Sequence, residues 1–339
     1  MNSYRRLDDH GIMQLSELEL WILFIVIISI MQIFDLGLAA KIKSKIKNEG
    51  IKSKTNESVG LSFKQSLVRF IIWITFAGIF AMIIFTSLGI QKMLDFVTGY
   101  VLEESLSVDN MLLFLLVFTT LGIPHKFQQK ILSLGILSAI VMRIIVIMIG
   151  SSLLQSFHWM IYIFGFILLI GAFRMILKRK EQKINVENNF YVKILKKIIP
   201  IQTEIKESKF LIKKNGVLYA TPLLIALIII EMTDLVFAMD SIPAVLAITS
   251  DPFIVITSNV FAISGLRALY FLISDTIHKI YFLKIGLIIL LFFIAIKMIT
   301  SGFFEISTLY SFIIIVFILV SVIIASLVKT SRKRNHSNP

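Results

Sequence analysis

Long apolar runs broken by short polar stretches dominate the chain. About 20 apolar residues cross a hydrocarbon layer about 30 Å thick. On that measure the pattern predicts nine spans, near 18–40, 67–90, 93–120, 131–154, 158–177, 217–249, 252–274, 281–301 and 306–328. The narrowest break lies between the sixth and seventh, where only Ser250, Asp251 and Pro252 intervene. The fold class is therefore an all-α polytopic transmembrane helical bundle, one transmembrane domain over 1–339.

Charge orients these spans, because Lys and Arg collect on the cytoplasmic side of a membrane. The loop after the first span carries Lys41, Lys43, Lys45, Lys47, Lys52, Lys54 and Lys64. The loop after the fifth is basic from Lys178 to Lys214, and the tail ends with Lys329, Arg332, Lys333 and Arg334. The opposite loops, Ser151 to Phe157 and Thr249 to Pro252, contain neither Lys nor Arg. The expected placement is a bacterial cytoplasmic (inner) membrane, with the N-terminus outside and the C-terminus in the cytoplasm. The first run follows acidic residues and lacks a small-residue cleavage pattern, so it reads as a retained span. Segment Asn189 to Ile201 mixes Lys193, Lys196 and Lys197 with apolar residues at helical spacing. It reads as a basic amphipathic helix on anionic lipid, with a partner-binding surface as the alternative.

Composition narrows the chemistry. Hydrophobic residues make up 57% of 339 residues, against about 45–50% in ordinary soluble domains. The net charge of +13 lies in blocks between spans, with no nucleic-acid-binding module, so nucleic acid is not expected as a partner. There is no Cys, which excludes disulfides, thiolate metal sites and iron–sulfur ligation. No paired intramembrane His is available for haem, and a redox enzyme is disfavoured. No prosthetic group is expected.

Two segments break the rule that spans are uncharged. The third span contains Glu103, Glu104, Asp109 and Asn110, and the sixth contains Glu231, Asp234 and Asp240. Each central charge costs about 2.5–3.5 kcal/mol, so three in one span cost about 7–10 kcal/mol unless compensated. Such a burden marks function. Intramembrane bases, Arg143, Arg174, Arg267 and Lys297, could instead pair with these acids and brace the bundle. Glu104 and Asp35, the latter near the end of the first span, are weaker candidates.

The two acidic segments resemble each other. Aligning EESLSVDN with DLVFAMDS matches Glu103 to Asp234 and Asp109 to Asp240, each pair six residues apart and followed by Asn110 or Ser241. Their helices run in opposite directions by the charge rule, as an inverted repeat requires. Six residues leave Asp234 and Asp240 roughly 120° apart on a straight helix. Pro243 and the length of 217–249 suggest a discontinuous helix near 239–243, with a freed carbonyl beside Asp240. Glu231 and Asp234, three apart, can face one site. This inventory of oxygen donors suits Mg²⁺, Ca²⁺ or Mn²⁺. Met232 and Met239 read as ordinary packing, with a thioether ligand favouring Mn²⁺ as the alternative.

The stretches FVTGYVLEESLSVDN, KNGVLYATPL, EMTDLVFAMDSIPAV, TSDPFIVITSNVFAISGLRALYF and IKM resemble the TerC family of integral membrane proteins, and within it the Alx type. The resemblance runs from about residue 93 to 300. It implies two inverted three-helix units, 93–177 and 217–301, similar to the LysE superfamily, flanked by 1–92, the loop 178–216 and the tail region 302–339. It also implies export of metal ions, chiefly Mn²⁺, with an older label of tellurite resistance. The residues it implies as the metal site are Glu103, Asp109, Asn110, Glu231, Asp234 and Asp240.

The resulting expectation is a non-enzymatic exporter of a divalent cation working by alternating access. Asp109 and Asp240 are the expected direct ligands from the two halves, Glu231 and Asp234 complete the shell or exchange protons, and Glu103 shapes the outward path. Arg143 and Arg267 are candidates to hold the emptied carboxylates. The alternative is an accessory membrane protein that delivers metal to exported enzymes or docks to secretion machinery.

Overall fold

A computed structural model of the chain describes residues 15–48, 63–157, 159–177, 199–201, 209–214, 216–274, 282–304 and 306–336, with backbone alone at 35–48, 63, 109, 112, 214, 240, 273, 283, 284, 327 and 330–336. Of the expected helix at 189–201, residues 189–198 lie outside the described residues, as does the side chain of Asp35; the described end, 199–201, is not helical, and Ile201 forms a β-bridge with Ala220.

Nine long helices are present among the described residues. They are α1 (Glu17–Asn48), α2 (Phe63–Leu88), α3 (Ile90–Thr120), α4 (His125–Ser156), α5 (Met160–Leu177), α6 (Pro222–Leu246), α7 (Pro252–Ser274), α8 (Leu283–Thr300) and α9 (Thr308–His336). Seven are long and apolar enough to cross a membrane: α1, α2, α4, α5, α6, α7 and α9. The apolar part of α8 is shorter, Ile285–Thr300, and α3 is interrupted by Lys92, Asp95, Glu103, Glu104 and Asp109. Gly89 (φ 88°) and Gly122 (φ 60°) occupy the left-handed region open to glycine, which lets the chain reverse tightly at both ends of α3.

The remaining regular structure is a hairpin of β1 (Leu211–Lys214) and β2 (Val217–Ala220), turned at Gly216 with φ 80°. This corrects the expected start of the sixth span. Residues 217–220 are apolar because they form a strand, and the helix begins only at Pro222. The Thr221 hydroxyl donates to the carbonyls of Lys209 (2.9 Å) and Phe210 (3.0 Å), and Pro222 fits a first helical turn where no amide donor is needed. The expected interruption near 239–243 is also absent. α6 continues through Pro243, whose ring removes one backbone donor without ending the helix.

At the centre stands α7, buried at every residue from Phe253 to Phe271. It carries Thr257, Ser258, Asn259, Ser264 and Arg267, which lipid would not accommodate but neighbouring helices do. α3 packs most extensively on α7, α6 on α4, and α5 on α8. Exchanging α3–α4–α5 with α6–α7–α8 maps these pairings onto themselves. Outer faces are apolar and open: Leu134, Leu137, Val141, Ile145 and Met148 form an exposed stripe at helical spacing on α4, a surface suited to lipid and not to water. The chain is a multi-pass integral membrane protein.

Three apolar clusters lie along the bundle among the described residues, and two of them draw on α3, α4, α6 and α7 together. One joins Met111, Phe114, Ile136, Ala139, Ile230 and Ile263; the other joins Phe96, Ile147, Ala238, Ile242, Val245 and Val260. Between them, near the middle of α3, α4 and α6, the polar side chains converge.

Candidate functional site

Arg143 of α4 is the hub of that polar layer, although only 1% exposed. Its Nη2 and Nε donate to the two carboxylate oxygens of Asp234 on α6, at 3.1 and 3.4 Å. Nη1 donates to Glu103 on α3 and, at 3.3 Å each, to the Ser241 hydroxyl on α6 and the Asn259 side-chain oxygen on α7. Guanidinium has five N–H donors in a fixed planar fork, and here they reach acceptors on three other helices.

Helix periodicity presents those acceptors together. Glu103, Ser107 and Asn110 recur at intervals of four and three along α3, and therefore share a face. The Ser107 hydroxyl donates to Glu103 at 3.2 Å, and the Asn110 amide donates to Asp234 at 3.5 Å. Asp234 and Ser241 are seven residues apart on α6, two turns of one face. The Asn259 amide donates to the Val255 carbonyl at 3.0 Å, which leaves its oxygen turned to Arg143.

Glu231 lies one turn before Asp234. It is buried, and neither carboxylate oxygen accepts a hydrogen bond among the described residues. Ser138 is beside it, but that hydroxyl is turned to the carbonyls of Leu134 and Gly135. The missing side chain of Gly135 makes room: a Cβ there would come within 3.1 Å of the Glu231 carboxylate. Glu231 and Asp234 face a cavity of about 20 Å³ lined also by Phe114, Gly135, Ala139 and Ile263. That is room for about one water molecule.

Of the six expected site residues, the structure thus joins Glu103, Asn110 and Asp234 in one network and sets Glu231 against the adjoining cavity. Asp109 is placed on α3 and Asp240 on α6, each six residues beyond Glu103 and Asp234, and their side chains lie outside the described residues. Among the described residues no three His, Cys, Asp or Glu form a ready metal cage; the charge between Glu103 and Asp234 is supplied by Arg143. Glu104 stands apart, its carboxylate oxygens buried and accepting no hydrogen bond among the described residues. Arg267 donates to Ser133 on α4 at 2.6 Å.

Asn259 and Ser107 were not among the expected residues. The run of three polar residues Thr257, Ser258 and Asn259 inside the seventh span is the signal that could have singled out Asn259. A second polar cluster joins the start of α3 to the loops. Lys92 pairs with Asp251 at 2.6 Å, and the Asp251 carboxylate also accepts from the Phe253 amide at the start of α7 (3.0 Å). Asp95 is buried, accepts from Gln91 at 3.3 Å, meets the hydroxyls of Thr249 and Thr308, and faces Lys297.

The family described as "Integral membrane protein TerC family" matches residues 88–335. Over 295 residues the chain is 39% identical to a Photorhabdus laumondii protein named "Putative membrane-bound redox modulator Alx", covering 85% of this chain and 88% of that protein. The Escherichia coli K12 protein of the same name is 36% identical over 295 residues, 85% of this chain and 87% of that one. A Myxococcus xanthus protein, "Uncharacterized membrane protein STKORF319", is 37% identical over 311 residues, 92% of each. No solved structure matches the chain.

Proposed function

Since the chain belongs to the TerC family of integral membrane proteins, we propose that it exports a divalent cation, foremost Mn²⁺, across the bacterial inner membrane by alternating access. The observation that carries this reading is Glu231 of α6, buried beside Asp234 at a shared cavity with neither carboxylate oxygen accepting a hydrogen bond among the described residues, whereas Glu103 and Asp234 are met by Arg143. Carboxylates placed so deep are expensive unless a cation meets them, and oxygen donors select hard divalent ions. Asp109 and Asp240 are the proposed direct ligands; Glu231, Asp234, Asn110 and Glu103 complete the site.

Alternating access fits the pairings α3 with α7 and α6 with α4, which exchange under the relation an inverted repeat would impose. In this reading 93–177 and 217–301 rock about the shared layer, the N-terminus lies outside, and the basic loops lie on anionic lipid in the cytoplasm. The relatives' printed name speaks of redox modulation. With no Cys in this chain, a redox effect would follow indirectly from the metal the protein moves.

Purified protein reconstituted in lipid vesicles tests the proposal. Mn²⁺ should cross the membrane with no other protein present, and the E231Q and D234N variants should slow it. Absence of unaided Mn²⁺ movement by folded protein would refute transport and leave the accessory role.

A further inference from the structure

We propose that Arg143 is a tethered counter-cation, competing with the transported metal ion for the oxygens of Glu103 and Asp234 and closing the emptied site so that the carrier returns without cargo. This rests on the metal-transport reading and adds how the same site is reset.

The geometry is that of a competitor. Arg143 takes both carboxylate oxygens of Asp234 and one of Glu103, the same kind of lone pairs a hard divalent ion requires. A metal ion can use these oxygens only if the guanidinium withdraws from them. It has somewhere to withdraw to, because Ser241 and Asn259 offer neutral acceptors at 3.3 Å. Those two would keep Nη1 bonded while the carboxylates turn to the metal. Arg143 also bonds α3, α6 and α7 from α4, and so touches both three-helix units.

Charge supplies the reason for such a device. If the site emptied without a substitute, the acids of two units would be left uncompensated in an apolar layer, and removing one partner of a buried ion pair is strongly unfavourable. Moving the emptied carrier through that state would be slow. A guanidinium held on the chain replaces the departing ion at once, since it needs no diffusion. A passive brace and a competitor therefore differ in the return step. Losing either removes a positive charge beside the site, but only losing a competitor slows net movement relative to exchange, because only then does the emptied carrier lack its substitute cation.

The experiment uses the full chain, purified and reconstituted, with Mn²⁺ as the probe. Equilibrium Mn²⁺ binding is measured together with two fluxes: exchange of radiolabelled Mn²⁺ for unlabelled Mn²⁺, and net movement into metal-free vesicles. In R143Q, removing a nearby positive charge should tighten Mn²⁺ binding about tenfold or more, with net flux falling well below exchange. R143K, which keeps the charge, should recover part of the net flux. N259A keeps every charge but takes away a resting acceptor; it should alter the ratio of net flux to exchange and decides the matter if R143Q fails to fold. Wild-type protein that binds Mn²⁺ while R143Q binds it no more tightly, or loses both fluxes equally, overturns this inference alone, as does an unchanged flux ratio in N259A when R143Q cannot be measured. Wild-type protein that binds no Mn²⁺ removes the transport reading, and this inference with it.

Discussion

Arg143 and Asp234, 91 residues apart in the chain, meet side by side through two hydrogen bonds of 3.1 and 3.4 Å in the buried centre of the bundle. With Glu103 on the other side, the pair ties α3, α4 and α6 together where a purely apolar core would have no such specificity. The arrangement bears on stability and, under the proposed function, on transport, and substitutions separate the two.

Arg143→Ala should destabilise the protein by about 3–5 kcal/mol, because Glu103 and Asp234 are then buried without their cation. Thermal unfolding in detergent measures this. The double variant R143A/D234N should recover part of the loss, since the two effects on one network are not additive.

Gly135→Ala should reduce Mn²⁺ flux several-fold with little change in unfolding temperature. The added methyl would lie 3.1 Å from the Glu231 carboxylate and intrude beside the cavity, while alanine favours the helix by about 1 kcal/mol. Flux and unfolding measured on one preparation check the separation.

Gly165→Val tests the α5–α8 contact away from the site. A Cβ at residue 165 would stand 2.8 Å from Ile299 and 3.3 Å from the backbone carbonyl of Ala295, and a carbonyl cannot step aside as a side chain can. Overpacking of this kind costs about 1–3 kcal/mol. The variant should unfold at lower temperature while its folded fraction keeps wild-type Mn²⁺ affinity.

At the start of α7, Asp251→Ala should be more harmful than Lys92→Ala. The ion pair they share is partly exposed, with the two side chains 36% and 26% accessible, and such pairs contribute about 0–1 kcal/mol. Asp251 additionally caps the helix through the Phe253 amide, a role with a typical cost of about 1 kcal/mol when lost. Comparing unfolding of the two single variants decides it.

Helix positions were legible in the sequence because apolar run length is a local property, and α3 could be recognised despite its acids because those acids sit inside otherwise apolar sequence. Val217, Leu218 and Tyr219 misled for the same reason: a short apolar run adjoining a span looks like more span, and only the pairing with 211–214 reveals a strand. Pro243 suggested a break that the surrounding packing does not produce. Within the site, the cost of burying charge pointed to Glu103, Glu231 and Asp234, and Arg143 was visible as an intramembrane base. Its choice of Asp234 and Glu103 was not, since contacts between residues 91 and 40 apart are decided by how the helices pack. Asn259 carries no charge and so gave no such signal.

Manganese content of an export-deficient host tests the central claim most directly, measured in cells expressing equal amounts of wild type, D109A or D240A. Acidic residues from both halves acting as one site require that wild type lowers cellular manganese and that neither variant does. Equal lowering by all three proteins would contradict the account.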